Sequence, residues 1–174
     1  MYAAHLAAGL AIKAAEPKAP AWAVLTAAFL PDLFWIGCAA VGAEPANSTM
    51  FFDGWSHSVM SILIQAAAFA LCFHKLGRAV MLAVGFAVLS HLLLDMPIHP
   101  VPLELWPHSG LPLGHPSWSW GEAQLALHKT RYWWVQLTVI IPLLSFYCLR
   151  ARRQLNANLI AASCLTVVGL HLVF

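Results

Sequence analysis

Charged side chains are scarce in this chain, and that scarcity decides its broad class. Only 9% of the 174 residues are Asp, Glu, Lys or Arg, whereas 61% are hydrophobic. A soluble domain carries about 25% charged residues. We therefore expect an integral membrane protein whose first partner is the lipid bilayer, and the length predicts a single domain over residues 1–174.

Motifs of several other protein classes are also missing. The formal net charge is only +2, and neither a basic run nor a Gly-rich phosphate loop is present, so we expect no nucleic-acid partner. The four cysteines show no C-x-x-C spacing, which argues against a disulfide framework and a thiolate zinc site. The start at Met1 lacks a basic n-region and is interpreted as mature structure rather than a cleaved signal.

Long apolar segments dominate what remains. A bilayer core needs about 20 apolar residues to be crossed by a helix. Five segments reach or approach that length, namely 21–43, 58–73, 79–96, 132–149 and 156–174. The shorter segment Tyr2–Ala15 would be a sixth span or an interfacial helix. The sequence therefore predicts an all-α, polytopic membrane bundle of five to six transmembrane helices.

Lysine and arginine then predict the orientation of this bundle. They concentrate in three alternate connections, at Lys13 and Lys18, at Lys75 and Arg78, and at 150–153. Cytoplasmic loops carry an excess of Lys and Arg. We therefore expect these three connections to be cytoplasmic and the other two, including the long loop 98–131, to face outward.

The loop 98–131 is rich in proline, tryptophan and histidine. Its proline density excludes a regular helix through the first half. One interpretation is an interfacial aromatic belt, because tryptophan favours the membrane–water interface. The other is a lid over a site that admits a lipid-like substrate.

Two of the predicted spans carry carboxylate groups. Asp32 lies in segment 21–43, and His91 and Asp95 lie in segment 79–96. An ionisable group at bilayer depth costs about 2.5–3.5 kcal/mol on insertion scales, so by default it marks a functional site. The His-x-x-x-Asp spacing puts both side chains on one helix face, within reach of one cation.

The predicted topology brings further ligand-type residues to the same depth. His5 and His57 join Asp32, His91 and Asp95 in the outer half of the bundle, and imidazole with carboxylate suits zinc or another divalent transition metal. Pro31 should break the helix before Asp32, and broken helices at membrane depth line cavities or pack in protein. A structural carboxylate bonded to a neighbouring helix remains the alternative for Asp32.

Other histidines are weaker candidates. His74 adjoins Lys75 and Arg78 and is expected to form a solvated cluster, while His171 is expected to be a packing or interface residue. His99 or His108, on the outer loop, would be the residue that completes a second metal site.

The motif order AHLAAGL, FLPDLFW, DGWSHSV, SHLLLD and PLELWPHS resembles the membrane-bound metal-dependent hydrolases of the YdjM/DUF457 type, over residues 1–120. The resemblance implies that zinc, as one or two ions, is bound by His5, Asp32, His57, His91 and Asp95. The ligand order is also similar to that of zinc-dependent phospholipase C and related single-strand nucleases. A location in the bacterial inner membrane is expected, with the site facing outward.

Three positions depart from the family pattern. Phe34 stands where the pattern has a second Asp, and Phe52 and Asp53 stand where it has His-Arg. The missing arginine removes an obvious phosphate clamp. Asp53 is then the best spare carboxylate for catalytic general-base work.

Two functions of different classes follow. The first is a divalent-metal-dependent hydrolase that acts on an ester or phosphoester, with an amphiphilic or lipid substrate. The alternative is a non-catalytic membrane subunit of a larger complex, with a structural or degenerate metal site, and the family departures favour it. The short chain and the absence of an inverted repeat argue against a transporter.

Overall fold

The computed structural model describes residues 2–44, 55–96, 103–113 and 122–173. These described residues are 76% helical, which confirms the predicted helical class. They include seven α-helices, namely α1 (Tyr2–Ala15), α2 (Ala21–Ala28), α3 (Leu30–Ala40), α4 (Val59–Leu71), α5 (Arg78–Asp95), α6 (Glu122–Ala151) and α7 (Ala157–Val173). A short 3-10 helix (His74–Leu76) precedes α5, and two short strands, β1 (Leu103–Glu104) and β2 (Pro112–Leu113), follow it.

Two of these helices are long and apolar enough to cross a membrane. They are α5 over Arg78–Asp95 and α6 over Trp133–Ala151. The bent pair α2 and α3 would be a third span if both helices form one crossing. Helices α4 and α7 are apolar but shorter, with 13 and 17 residues. The predicted number of five to six spans is therefore not established by helix length and composition.

The break between α2 and α3 occurs at the position predicted from Pro31. The two helices meet at an angle of 62°, and Pro31 occupies the first turn of α3. Proline is tolerated there because the first turn of a helix needs no donor from its nitrogen. The break places Asp32 in the same first turn, where the positive end of the helix dipole stabilises a carboxylate.

The helices pack around three apolar clusters, the smallest of which joins α1 and α6 through Ala14, Tyr147 and Ala151. One joins α2, α4 and α5 around Ile62 and Val88, and Leu103 of β1 completes it. Another joins α1, α6 and α7 around Ile140 and Val167. Helix α1 contacts both α5 and α6, so it connects the two halves of the bundle.

Small residues set the closest helix–helix approach. A Cβ atom added to Gly85 of α5 would lie 3.1 Å from the Cβ atom of Ala70 on α4. Small side chains let helix backbones approach in this way in membrane bundles. The α4–α5 pair therefore forms a tight unit that positions the ends of both helices.

The three basic connections lie at one end of the bundle. Gln154, after α6, donates a hydrogen bond of 3.1 Å to the carbonyl of Ala14 near the end of α1. The Trp22 ring at the start of α2 lies 5.6 Å from the Phe73 ring beyond α4. The three connections predicted to lie on one side of the membrane are therefore neighbours in the structure. The buried His and Asp residues lie at the opposite end of the bundle.

At that opposite end, the strands β1 and β2 form an antiparallel hairpin in which Leu103 pairs with Leu113. The Met60 N–H of α4 donates to the Leu105 carbonyl at 3.1 Å, so the hairpin is attached to the start of α4. Helix α6 already begins at Glu122, inside the segment predicted as the loop 98–131. The sequence after Glu122 has no proline before Pro142, so nothing prevents the helix from extending.

Candidate metal centre

Five ligand-type side chains meet at the polar end of the bundle. They come from four segments: His5 on α1, Asp32 on α3, His57 just before α4, and His91 with Asp95 on α5. The three histidines are fully buried, and Asp95 is 7% exposed. The structure therefore brings together every residue that the sequence singled out as a metal ligand.

The distances within this cluster match those of a metal site. The Nε2 atoms of His57 and His91 are 3.3 Å apart. His91 Nε2 lies 3.2 Å from Asp95 Oδ2, and His57 Nε2 lies 3.5 Å from Asp32 Oδ1. Tetrahedral ligand atoms at bond lengths of 2.0–2.1 Å are separated by about 3.3 Å. His91 Nε2 and Asp32 Oδ1 are farther apart, at 3.8 Å, so the cluster is close to the dimensions of a coordination shell.

A backbone carbonyl determines the tautomer of His91. Its Nδ1 atom lies 2.9 Å from the carbonyl oxygen of Ala28, the last residue of α2. A carbonyl only accepts, so Nδ1 carries a proton, and in the neutral ring the lone pair is then at Nε2. The break between α2 and α3 thus has a second effect, because it places this carbonyl beside the cluster.

A chain of three side chains determines the tautomer of His57. Ser56 Oγ donates to Glu44 Oε2 at 2.7 Å and lies 2.8 Å from His57 Nδ1. The single hydroxyl proton goes to the carboxylate, so the serine oxygen accepts from the Nδ1–H of His57. Glu44 is held in turn by the Ser56 N–H at 2.7 Å. We call Glu44, Ser56 and His57 the relay.

When both rings are neutral, two imidazole lone pairs therefore face each other across 3.3 Å. Such an arrangement is favourable only when a cation or a shared proton lies between the nitrogens, because two lone pairs repel. The carboxylates of Asp32 and Asp95 supply negative charge beside them. Metal-bound histidines characteristically donate their second ring nitrogen to a carbonyl or a carboxylate-linked group, which is what both rings do here.

His5 occupies a different position in the cluster. Its ring stacks on that of His91 with centroids 3.8 Å apart and an interplanar angle of 7°. The in-plane lone pairs of two parallel rings lie in separate parallel planes, so the two rings cannot both direct a lone pair at one ion. Asp95 turns Oδ1 towards His5 and Oδ2 towards His91, each at 3.2 Å. This carboxylate is therefore placed to bridge two neighbouring positions.

Several polar atoms of the cluster lack hydrogen bonds within the described part of the chain. They are Nδ1 and Nε2 of His5 and Oδ2 of Asp32, all buried. The His5–Asp95 contact of 3.2 Å is an ion-pair distance without hydrogen-bond alignment. Buried polar groups are usually paired. The ligand atoms of His5, Asp32 and His91, and those of His57, His91 and Asp95, form two overlapping triads in which they lie within 4.8 Å of one another. Because the His5 and His91 rings are parallel, the second triad is the one suited to a single ion.

The remaining candidates lie elsewhere. Asp53, Phe52 and His99 fall outside the described residues. The exposed His108 contacts the ring of Trp55 at 6.0 Å and belongs to neither triad of potential ligands. His171 stacks on Trp133 at 4.6 Å, the packing contact expected of it. Phe34 is 44% exposed and supplies no polar group at the position of the family's second Asp.

Sequence reasoning missed two residues of this site. Glu44 and Ser56 are both buried and act on His57. Their signal in the sequence is weak, since Glu44 stands twelve residues before Ser56 and a Ser-His pair obeys no ligand spacing. The available indication was a single acidic residue, Glu44, directly after the apolar segment 21–43.

Comparison with protein-family models, with curated proteins and with solved structures gives no match. The resemblance to the YdjM/DUF457 hydrolases consequently stays a prediction from the motifs.

Proposed function

We propose that the chain is a membrane-embedded hydrolase, dependent on a divalent metal ion, that acts on an ester or phosphoester of an amphiphilic substrate. One observation carries the proposal. The two Nε2 atoms of His57 and His91, whose tautomers are set by the relay and by Ala28, face each other between two carboxylates. A buried pair of this kind needs a cation or a shared proton between its nitrogens, and two imidazoles with two carboxylates are a donor set that holds a divalent ion.

The donor set fits zinc. Two imidazoles with two carboxylates are typical zinc ligands, and a divalent ion would satisfy the buried atoms of His5 and Asp32 that have no hydrogen bond among the described residues. Such an ion supplies Lewis acidity, which acidifies water and polarises a carbonyl or phosphoryl oxygen. Because His5 and His91 stack in parallel, His5 belongs to a second ion position or holds Asp95 in place.

The side chains then have distinct tasks. His57 and His91 hold the ion through neutral rings, and Asp32 and Asp95 balance its charge. Burial of the three histidines keeps bulk water away from the ligands, which strengthens their electrostatic interactions. The general base is assigned to Asp53 from the sequence alone, and this residue lies outside the described range.

The experiment that tests the hydrolase is elemental analysis followed by an activity screen. Purified protein, reconstituted with zinc, should retain one or two ions per chain by mass spectrometry of the metal. It should also hydrolyse a chromogenic ester, a phosphodiester or a phospholipid, and chelation should abolish the turnover. Protein that retains no divalent ion would contradict the proposal.

A non-catalytic membrane subunit is the second candidate, and the exposed Phe34 favours it, because the family pattern has an acid there. Metal coordination separates the two functions. A catalytic site keeps a position open for water or substrate, whereas a structural site is coordinatively closed. Firmly bound metal without turnover on any ester or phosphoester would support the subunit.

We also propose that the chain crosses the bacterial inner membrane five or six times, with the metal cluster facing outward. The three basic connections share one end of the bundle, opposite the cluster. Matched cysteines at two exposed leucines test this topology. Leu111→Cys should react with an impermeant thiol reagent applied to intact cells, and Leu155→Cys should react only after lysis. The reverse pattern would place the cluster on the cytoplasmic side.

A further inference from the structure

A large groove runs along one side of the bundle. It has a volume of about 1000 Å³ and is lined by residues of α1, α4, α5 and α6. Among the described residues that line it, Glu16 and Ser90 alone are not apolar. Alanines form much of its floor, for example Ala11 and Ala66. The groove is therefore open along one side, where Leu63 and Phe86 are exposed, and almost without hydrogen-bonding groups.

The length of the groove suits a hydrocarbon chain. Along α5 the lining extends from Met81 to Leu94, which is about 20 Å at 1.5 Å per residue. The chains of one leaflet fill half of a hydrocarbon core of about 30 Å. Half of such a core is about 15 Å, so the groove is long enough for the chain of a lipid in one leaflet.

The groove ends beside the metal cluster. Its lining residues Ser90 and Leu94 directly precede His91 and Asp95 on α5, and Ala8 lies one turn after His5 on α1. The far end, at Glu16 and Met81, lies towards the basic connections. The groove thus has a polar cluster at one end and apolar residues along its length. A membrane lipid has the same order, because its ester or phosphoester linkage lies near the interface and its alkyl chain points into the bilayer.

We propose that the groove binds one alkyl chain of a membrane lipid and so presents the ester or phosphoester linkage of that lipid to the metal cluster. That the bound lipid is a substrate rests on the proposed hydrolase, whereas binding of the alkyl chain does not. Within a bilayer the attraction comes from close van der Waals packing rather than from exclusion of water. An alkyl chain that lies in the groove between four helices gains more such contacts than an alkyl chain on a single helix face.

Two neighbouring alanines of α4 provide a matched test. Ala67 lines the groove and Ala68 does not, and both are exposed, so neither Ala67→Phe nor Ala68→Phe removes a core contact. The probe is a diacyl phospholipid with a diazirine near the end of one chain, incorporated into nanodiscs with the full chain. Cross-linked peptides are quantified by mass spectrometry against the label on exposed Leu165 of α7.

We expect label on the groove residues of α4 and α5 in the wild-type protein. Ala67→Phe should remove most of it, because the phenyl ring occupies the position of the chain, and Ala68→Phe should leave it unchanged. Equal labelling in the two variants would overturn the proposal. So would an Ala67→Phe variant that changes only the oligomeric state, since a second copy would then occupy the groove.

Failure of the hydrolase is distinguishable from failure of the groove. The labelling needs neither metal nor turnover, so loss of label in Ala67→Phe supports the groove even in a protein without activity. In an active protein, Ala67→Phe should raise KM for a phospholipid and leave kcat on a short, water-soluble ester and the metal content unchanged. Identical KM values for both variants would contradict chain binding while the hydrolase stands.

Discussion

Replacing Asp95 with asparagine should nearly empty the metal site. Asp95 contacts both His5 and His91 at 3.2 Å, so the change removes negative charge from the middle of the cluster while it conserves volume. Outer-shell changes typically cost 10–100-fold in metal affinity, and loss of a ligand should cost at least about that much. Zinc affinity, measured by competition with a chelating dye, provides the readout.

The same measurement on His91→Ala should give a similar loss. The double variant should lose little more, because ligands of one site act as a unit and their effects are not additive. Glu16→Gln is the matched control, since it makes the same chemical change at the far end of α1 and should bind zinc normally. Full metal content in Asp95→Asn would remove the physical basis of the hydrolase and favour the non-catalytic subunit.

Replacing Ser56 with alanine should weaken zinc binding by about 10–100-fold, the usual effect of losing a group that orients a ligand. Ser56 Oγ accepts from Nδ1 of His57 while it donates to Glu44, so it holds the ring in the tautomer with a free Nε2. The tautomer can be read directly from the ¹⁵N chemical shifts of the His57 ring. We expect these shifts to report a protonated Nδ1 in the wild-type protein and a mixture in Ser56→Ala.

Two further variants separate orientation from stability. Ser56→Thr keeps the hydroxyl and should restore the affinity. Ser58→Ala removes a hydroxyl two residues away, where Ser58 caps α4 by accepting from the Ser61 N–H at 3.3 Å. Losing a cap costs about 1 kcal/mol of stability and should not change the His57 tautomer. Equal zinc affinities in Ser56→Ala and Ser58→Ala would show that the relay does not position His57.

Much of the fold was predictable because its signals are local. Apolar length and proline position determine where helices run and break, so the helical class and the break before Asp32 could be inferred from the sequence alone. The number of spans could not be established in this way. Apolar segments such as 58–73 satisfy the criterion of composition, yet α4 contains only 13 residues, because Ser58 caps its start and its end depends on the turn that follows.

The sequence by itself determined which side chains are costly in an apolar chain, and therefore named His5, Asp32, His57, His91 and Asp95. The free-energy cost of placing an ionisable side chain in an apolar segment depends on that residue and on its sequence neighbours, so it can be inferred without the tertiary structure. The tertiary structure alone decided how these groups face each other. The tautomers of His57 and His91 depend on Ser56 and on the carbonyl of Ala28, 63 residues from His91 in the chain, and the groove forms only where four helices meet. Such contacts arise between distant segments, and hydropathy and residue spacing along a chain carry no information about them.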